Sequence, residues 1–203
     1  MSLHPVFLDL RERKVVLVGA GNVAVSKLPA LLEAGARVSV VAPEVRPEIA
    51  GAGVEIAQRA FVPFDLDGAW FVVAAATPDV NREVAAAAEE RRIFVNAVDD
   101  VKSATAYLGG VLRRGEITLA ISTGGAAPAL AGLLREGLDA VVPEEIDAWV
   151  DEARRLRAEQ KAAGVPMTER RPALLVALNR LYEQGVQAGR GAGVVSGPQA
   201  VSS

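Results

Sequence analysis

Gly19-Ala20-Gly21-Asn22-Val23-Ala24 has the residue types and spacing of a turn that receives a pyrophosphate. Gly19 permits a sharp exit from a strand. Gly21 lacks a Cβ, so the backbone can come close to phosphate oxygens. Ala24 stands where a third glycine is usual and is still small enough for a helix to pack on a strand. The N–H groups opening that helix then hold the phosphate. The ribose contact is less regular. The second strand runs out as Val40-Val41-Ala42-Pro43-Glu44, so its first acid comes a little late. Glu44 reaching a ribose hydroxyl would select NAD, whereas Arg46 meeting a 2′-phosphate would select NADP. The position of the acid favours NAD.

Two further constellations carry chemistry. Asn96-Ala97-Val98-Asp99-Asp100 closes another apolar run. A carboxylate there can act as a general base, and two adjacent ones raise each other's pKa. Equally, an aspartate at such a place caps a turn through its own backbone. Ile121-Ser122-Thr123-Gly124-Gly125-Ala126-Ala127-Pro128 reads as hydroxyls, glycines and a first-turn proline. That is a standard helix start, and also an anion site suited to a carboxylate-bearing ligand. With one histidine, His4 near the start, and no cysteine, the chain offers no transition-metal cluster. It has neither a nucleophile elbow nor a P-loop.

The elements that must position these residues follow from the apolar pattern. Lys14–Val18, Arg37–Val41, Trp70–Ala74 and Ile93–Ala97 are β-branched or apolar runs, with a shorter one at Val54–Ala57. Helices are expected over Asn22–Ala34, ended by Gly35, and over Asn81–Arg91, with Pro78-Asp79 opening the turn. Strands apolar on both faces and alternating with helices make a parallel sheet covered on each side, an α/β Rossmann-type arrangement. Beyond Asp100, Ala104–Leu112 and Glu116–Ile121 read as an antiparallel pair turning at Arg113-Arg114-Gly115. Three helices follow, over Pro128–Leu138, Pro143–Glu159 and Thr168–Gln184. From about Gly185 the Gly-, Ser- and Ala-rich sequence predicts a loose tail.

The 203 residues, half of them apolar, suffice for one substantial core and a smaller lobe. Twenty-two basic against 25 acidic residues give no reason to expect nucleic acid. No run approaches the ~20 apolar residues of a membrane span, and the first residues lack the pattern of a secretory signal. A cytoplasmic protein is expected.

Taken together, the motifs resemble the precorrin-2 dehydrogenase family, also seen as the dehydrogenase/ferrochelatase part of siroheme synthase. The matching runs are Pro5–Leu10, Val18–Ala24 with Lys27, Leu32–Val38, Val41–Glu44, Ala75–Thr77 with Asn81, Val95–Asp99 and Ala120–Gly125. They keep their order over about the first 140 residues. The resemblance implies an NAD domain over 1–110, a small dimerisation region over 111–142 and a helical C-terminal domain over 143–185, with 186–203 as the tail. It implies NAD-dependent oxidation of precorrin-2 to sirohydrochlorin by a homodimer. Cofactor contacts are implied at Asn22, Val23, Pro43 and Glu44, joined by Gly19, Gly21 and Thr77 of the matched runs. Asp99 matches the family's essential aspartate. Ser122, Thr123 and Gly124 would line the substrate site, and Arg113, Arg114 and Arg135 would hold substrate carboxylates. Many relatives carry a phenylalanine and a proline where this chain has Tyr107-Leu108-Gly109-Gly110. Two other activities stay open: insertion of iron or cobalt into sirohydrochlorin, and binding of NAD or tetrapyrrole without catalysis.

Overall fold

In the computed structural model, residues 3–98, 100 and 102–192 are described. The chain forms two compact units: Met1–Gly109 with Ser122–Pro128, and Gly110–Ile121 with Ala129–Ser203. The stretch 111–142 thus contributes to both.

The first unit is a five-stranded parallel sheet in the order β3-β2-β1-β4-β5, formed by β1 (Lys14–Val18), β2 (Arg37–Val41), β3 (Glu55–Ala57), β4 (Phe71–Ala74) and β5 (Phe94–Ala97). Strands buried on both faces must be apolar, as β4 is throughout and β1 is after Lys14. Side chains alternate across the pleat. Val15, Leu17, Val38, Val40, Phe71 and Val73 join one core, whereas Val16, Val18, Val72, Ala74, Val95 and Ala97 join the other. Helix α1 (Asn22–Glu33) closes the first core through Ala24, Leu28 and Leu31, with the short α2 (Pro47–Ala50) adding Ile49. Helix α3 (Pro78–Arg91) closes the second through Val84, Ala87 and Ala88. Each fully buried valine or leucine contributes about 1.5–3 kcal/mol. Helix α1 ends where the sequence predicts, with Gly35 at φ +73°.

A 3-10 turn over Pro63–Leu66 supplies Leu66 to the second core. Asp65 holds this turn in place. Its carboxylate accepts Arg59 Nη2 at 2.5 Å, Arg59 Nη1 at 2.8 Å and the Val62 N–H at 2.9 Å. The Arg59 hydrogen bonds, ahead of the opposing effect of burial, hold its pKa below the ordinary 3.8. A depressed carboxylate pKa stabilises the fold above the unfolded value, and that stability is lost as pH falls through the folded value. Asp65→Ala should therefore lower stability by about 2–3 kcal/mol at neutral pH. The gap between wild type and variant in denaturant melts should close as pH drops below 3.8.

The second unit holds the antiparallel pair β6 (Gly110–Arg114) and β7 (Ile117–Ile121), then α5 (Ile146–Ala162) and α6 (Met167–Ala192); α4 (Pro128–Val141) begins at the junction. Three expectations are corrected. The first strand begins at Gly110, because residues 105–106 bind the edge of β5. The N–H groups of Thr105 and Ala106 both reach the Val95 carbonyl at 2.9 Å, and Thr105 Oγ1 accepts the Val95 N–H. Arg113 and Arg114 lie in β6, and the turn is Gly115-Glu116, with Gly115 at φ +52°. The backbone of α6 is helical to Ala192, past the expected onset of the tail. Extending an existing helix across a glycine costs only about 1 kcal/mol, far less than nucleating one. Among the described residues, no helix is long and apolar enough to cross a membrane.

Candidate functional site

In this strand order the connection leaving β1 goes to one side of the sheet, and the chain later returns to β4 on the other. A crevice opens at the carboxyl ends of β1 and β4, where ligands of such sheets bind. Four segments meet those ends. Gly19 follows β1 and donates its N–H to the Val41 carbonyl at 2.9 Å. Ala42-Pro43-Glu44 follows β2, Ala75-Ala76-Thr77 follows β4, and Val98 follows β5.

The two glycines differ in their surroundings. Gly19 adopts φ +100°, and a Cβ there would lie 2.3 Å from the Ala75 carbonyl oxygen. The glycine turn and the β4–α3 turn therefore touch backbone to backbone. A Cβ at Gly21 would meet nothing within 4 Å, and Gly21 is the N-cap of α1. The first helical hydrogen bond there is Val25 N–H to the Gly21 carbonyl, at 3.0 Å. No side chain caps this end and no acid stands in its first turn. The N–H groups of Asn22 and Val23 thus stand at an exposed helix start with no acid beside them to repel an anion, as a pyrophosphate requires. These residues fit a dinucleotide.

Glu44 and Pro43 are exposed just past β2. Arg46 is tied to the same region, its N–H directed at the Ala20 carbonyl at 3.4 Å. Its guanidinium pairs with Glu48 at 3.0 Å. Thr77 is the exposed N-cap of α3 and makes no side-chain cap bond.

Two buried asparagines were not singled out as site residues in the sequence. Asn81 accepts the Ala76 N–H at 2.9 Å and donates to the Val98 carbonyl at 3.4 Å. Asn96 donates to the Ala106 carbonyl at 2.9 Å. A polar residue inside an apolar run was the available signal for Asn96; Asn81 shares a helix face with Val84 and Ala88. Asp99 lies outside the described residues. Asp100 caps a turn: it accepts the N–H groups of Lys102 and Ser103, and the Ser103 hydroxyl at 2.6 Å. The Ser103 hydroxyl, then the backbone donors, lower its pKa, the opposite of the mutual elevation that adjacent carboxylates suggested.

Ser122, Thr123 and Gly124 belong to the first unit. Ser122 Oγ accepts the Gly124 N–H at 3.1 Å, and Thr123 Oγ1 accepts the Ala127 N–H at 3.2 Å. Each hydroxyl so oriented keeps its own hydrogen to donate. Arg113 and Arg114 lie in the second unit. Arg114 pairs with Asp139 at 2.6 Å and donates to the Val142 carbonyl.

Residues 6–110 match the sequence family described as "Putative NAD(P)-binding". The chain belongs to this NAD(P)-binding family. A nicotinamide dinucleotide is accordingly the class of cofactor. Residues 114–140 match a second family, "Sirohaem biosynthesis protein central". Siroheme synthase 3 of Aeromonas hydrophila is 42% identical over 176 residues, covering 84% of this chain and 38% of that protein. The siroheme synthase of Citrobacter koseri is 41% identical over the same length. The chain thus spans about two-fifths of the curated relatives it matches. Among solved structures, "SirC, precorrin-2 dehydrogenase" shares the fold, with a TM-score of 0.63 and 24% identity over 91% of this chain and 100% of that one.

Proposed function

We propose that this NAD(P)-binding chain oxidises precorrin-2 to sirohydrochlorin with NAD, within siroheme biosynthesis. The carrying observation is an open, uncapped α1 N-terminus at the switch point of a sheet whose relatives are named siroheme synthases. The nicotinamide, when bound, accepts a hydride; dehydrogenation removes two hydrogens from the substrate, one as that hydride and one as a proton. Gly19, Gly21, Asn22 and Val23 hold the pyrophosphate, and Thr77 lies beside the nicotinamide end. Pro43 and Glu44 take the adenosine ribose. NAD is preferred over NADP because Glu44 is exposed at the end of β2, whereas Arg46 would have to leave Glu48 to meet a 2′-phosphate. Asp99 takes the proton. The hydroxyls of Ser122 and Thr123 and the Gly124 turn receive substrate carboxylates. Arg113 and Arg114 are assigned to further carboxylates, for which Arg114 exchanges Asp139.

The decisive assay is anaerobic. The purified chain is given precorrin-2 with NAD, with NADP or with neither, and NADH and the macrocycle spectrum are followed together. Equal amounts of NADH and sirohydrochlorin are expected with NAD. Cofactor and macrocycle binding without NADH formation would overturn the dehydrogenase reading.

A homodimer is part of the same proposal. Leu130, Leu133, Leu134 and Val141 are exposed and recur on one face of α4. Sedimentation should give twice the chain mass, and Leu133→Glu should give the single-chain mass.

A further inference from the structure

We propose that Asn81 is a positioning residue that sets the nicotinamide end of the crevice by clamping the β4–α3 turn to the chain leaving β5. This rests on the dehydrogenase reading for its catalytic consequence, though not for its effect on cofactor affinity.

Asn81 lies in the first turn of α3 and is 3% exposed. Its amide orientation is dictated by its partners. A backbone N–H only donates, so the atom facing Ala76 at 2.9 Å is the carbonyl oxygen. A backbone carbonyl only accepts, so the atom facing Val98 at 3.4 Å is the NH2 group. The side chain thus matches both neighbours, and among the described residues no buried side-chain polar atom is left without a partner.

The position of this clamp gives it a function. Ala76 sits in the turn whose preceding carbonyl, Ala75, lies against Gly19. The Ala75 N–H also bonds the Val18 carbonyl at 2.8 Å, and the Val98 N–H bonds the Ala74 carbonyl at 3.0 Å. Backbone bonds therefore fix β4 to β1 and to β5 up to these ends. Beyond them the clamp between the two turns is a side chain. An amide placed here sets the separation of the two walls that face the cofactor, and hydride transfer is sensitive to displacements of about 1 Å, which can cost ~100-fold.

The test uses Asn81→Asp and Asn81→Ala in the full chain, read by NADH fluorescence titration and by turnover with precorrin-2 from about pH 5.5 to about pH 8. The introduced carboxyl still accepts the Ala76 N–H. Its second oxygen faces the Val98 carbonyl, which repels it when ionised and accepts its O–H when protonated. Burial and that repulsion raise its pKa. The charged residues of the two clamped segments, Asp79, Arg82 and Glu83 on α3 and Asp99 and Asp100 after Val98, are present in wild type and variant alike, so the ratio of variant to wild type is read at each pH.

For Asn81→Asp, NADH affinity should be about tenfold below wild type at the alkaline end and within about threefold at the acid end. The kcat at saturating NAD should follow the same course. Asn81→Ala should lose both at every pH, and if it does not fold, the aspartate variant decides alone. An Asn81→Asp deficit that is absent, or the same at every pH, overturns the clamp. If wild type makes no NADH from precorrin-2, the dehydrogenase reading fails, while the titration of NADH still decides the role of Asn81.

Discussion

Gly19→Ala should lower stability by about 3–5 kcal/mol and remove NADH binding, whereas Gly21→Ala should keep the fold and lose only the cofactor. The two glycines stand two residues apart in one turn, so the contrast isolates what each does. At Gly19 the added Cβ lies 2.3 Å from the Ala75 oxygen, 2.6 Å from its carbon and 2.9 Å from the Ala76 nitrogen. All three are backbone atoms, pinned by the Val18 carbonyl and by Asn81, so nothing can give way cheaply. An L side chain at φ +100° adds strain of about 1–3 kcal/mol. For a chain of this length the sum is a fall of roughly 10 °C in Tm. At Gly21, φ is −86° and the Cβ points into clear space. Losing glycine as N-cap costs about 1 kcal/mol or less. The methyl instead fills the space a pyrophosphate needs, and NADH affinity should fall about tenfold or more. Thermal melts and NADH titration measure the pair. Native NADH affinity in Gly21→Ala would remove the pyrophosphate from this turn.

The parts legible in the sequence were those where one physical demand allows few residue types. A strand buried on both faces must be mostly apolar, which is why the valine-rich runs of β1, β2 and β4 and the Phe94-Val95 run of β5 stand out. A left-handed helix end favours glycine, which places the end of α1 at Gly35. The hidden parts depend on pairing between distant segments. Residues 104–109 have strand-like composition, yet residues 105–106 satisfy their hydrogen bonds on β5, and no local pattern announces that. Arg113 and Arg114 resemble turn residues because of their charge. In β6 one is exposed and the other is neutralised by Asp139, so both are compatible with a strand. Asn81 and Asn96 illustrate the same limit at the site. A buried asparagine requires partners, but only the fold buries these two and supplies Ala76, Val98 and Ala106. The adjacent pair Asp99-Asp100 left base and turn equally open in the sequence, and the contacts of Asp100 resolve that residue as the turn.

Asp99→Asn should reduce kcat for precorrin-2 oxidation by about 10²–10⁴-fold, while leaving NADH affinity near wild type. Both oxygens of Asp100 are engaged by Lys102 and Ser103, and its pKa is lowered, which makes it a poor proton acceptor. Its neighbour follows Val98, whose N–H and carbonyl are both held at the carboxyl end of the sheet. The proposed proton acceptor is Asp99, the match to the essential aspartate of the resembled family, and it must be ionised to accept a proton. In wild type the rate should fall as pH drops through the pKa of that carboxylate, since a protonated base cannot act. The asparagine variant keeps the size and polarity of the side chain but cannot take a proton, so its residual rate should lack that acid limb. Asp100→Asn serves as the companion: it weakens a turn and should cost less than tenfold in kcat while retaining the limb. If the two variants exchange behaviours, the base is Asp100 and the turn rearranges during the reaction. If neither loses turnover, the proton leaves through solvent and the crevice acts by holding the substrate against the nicotinamide.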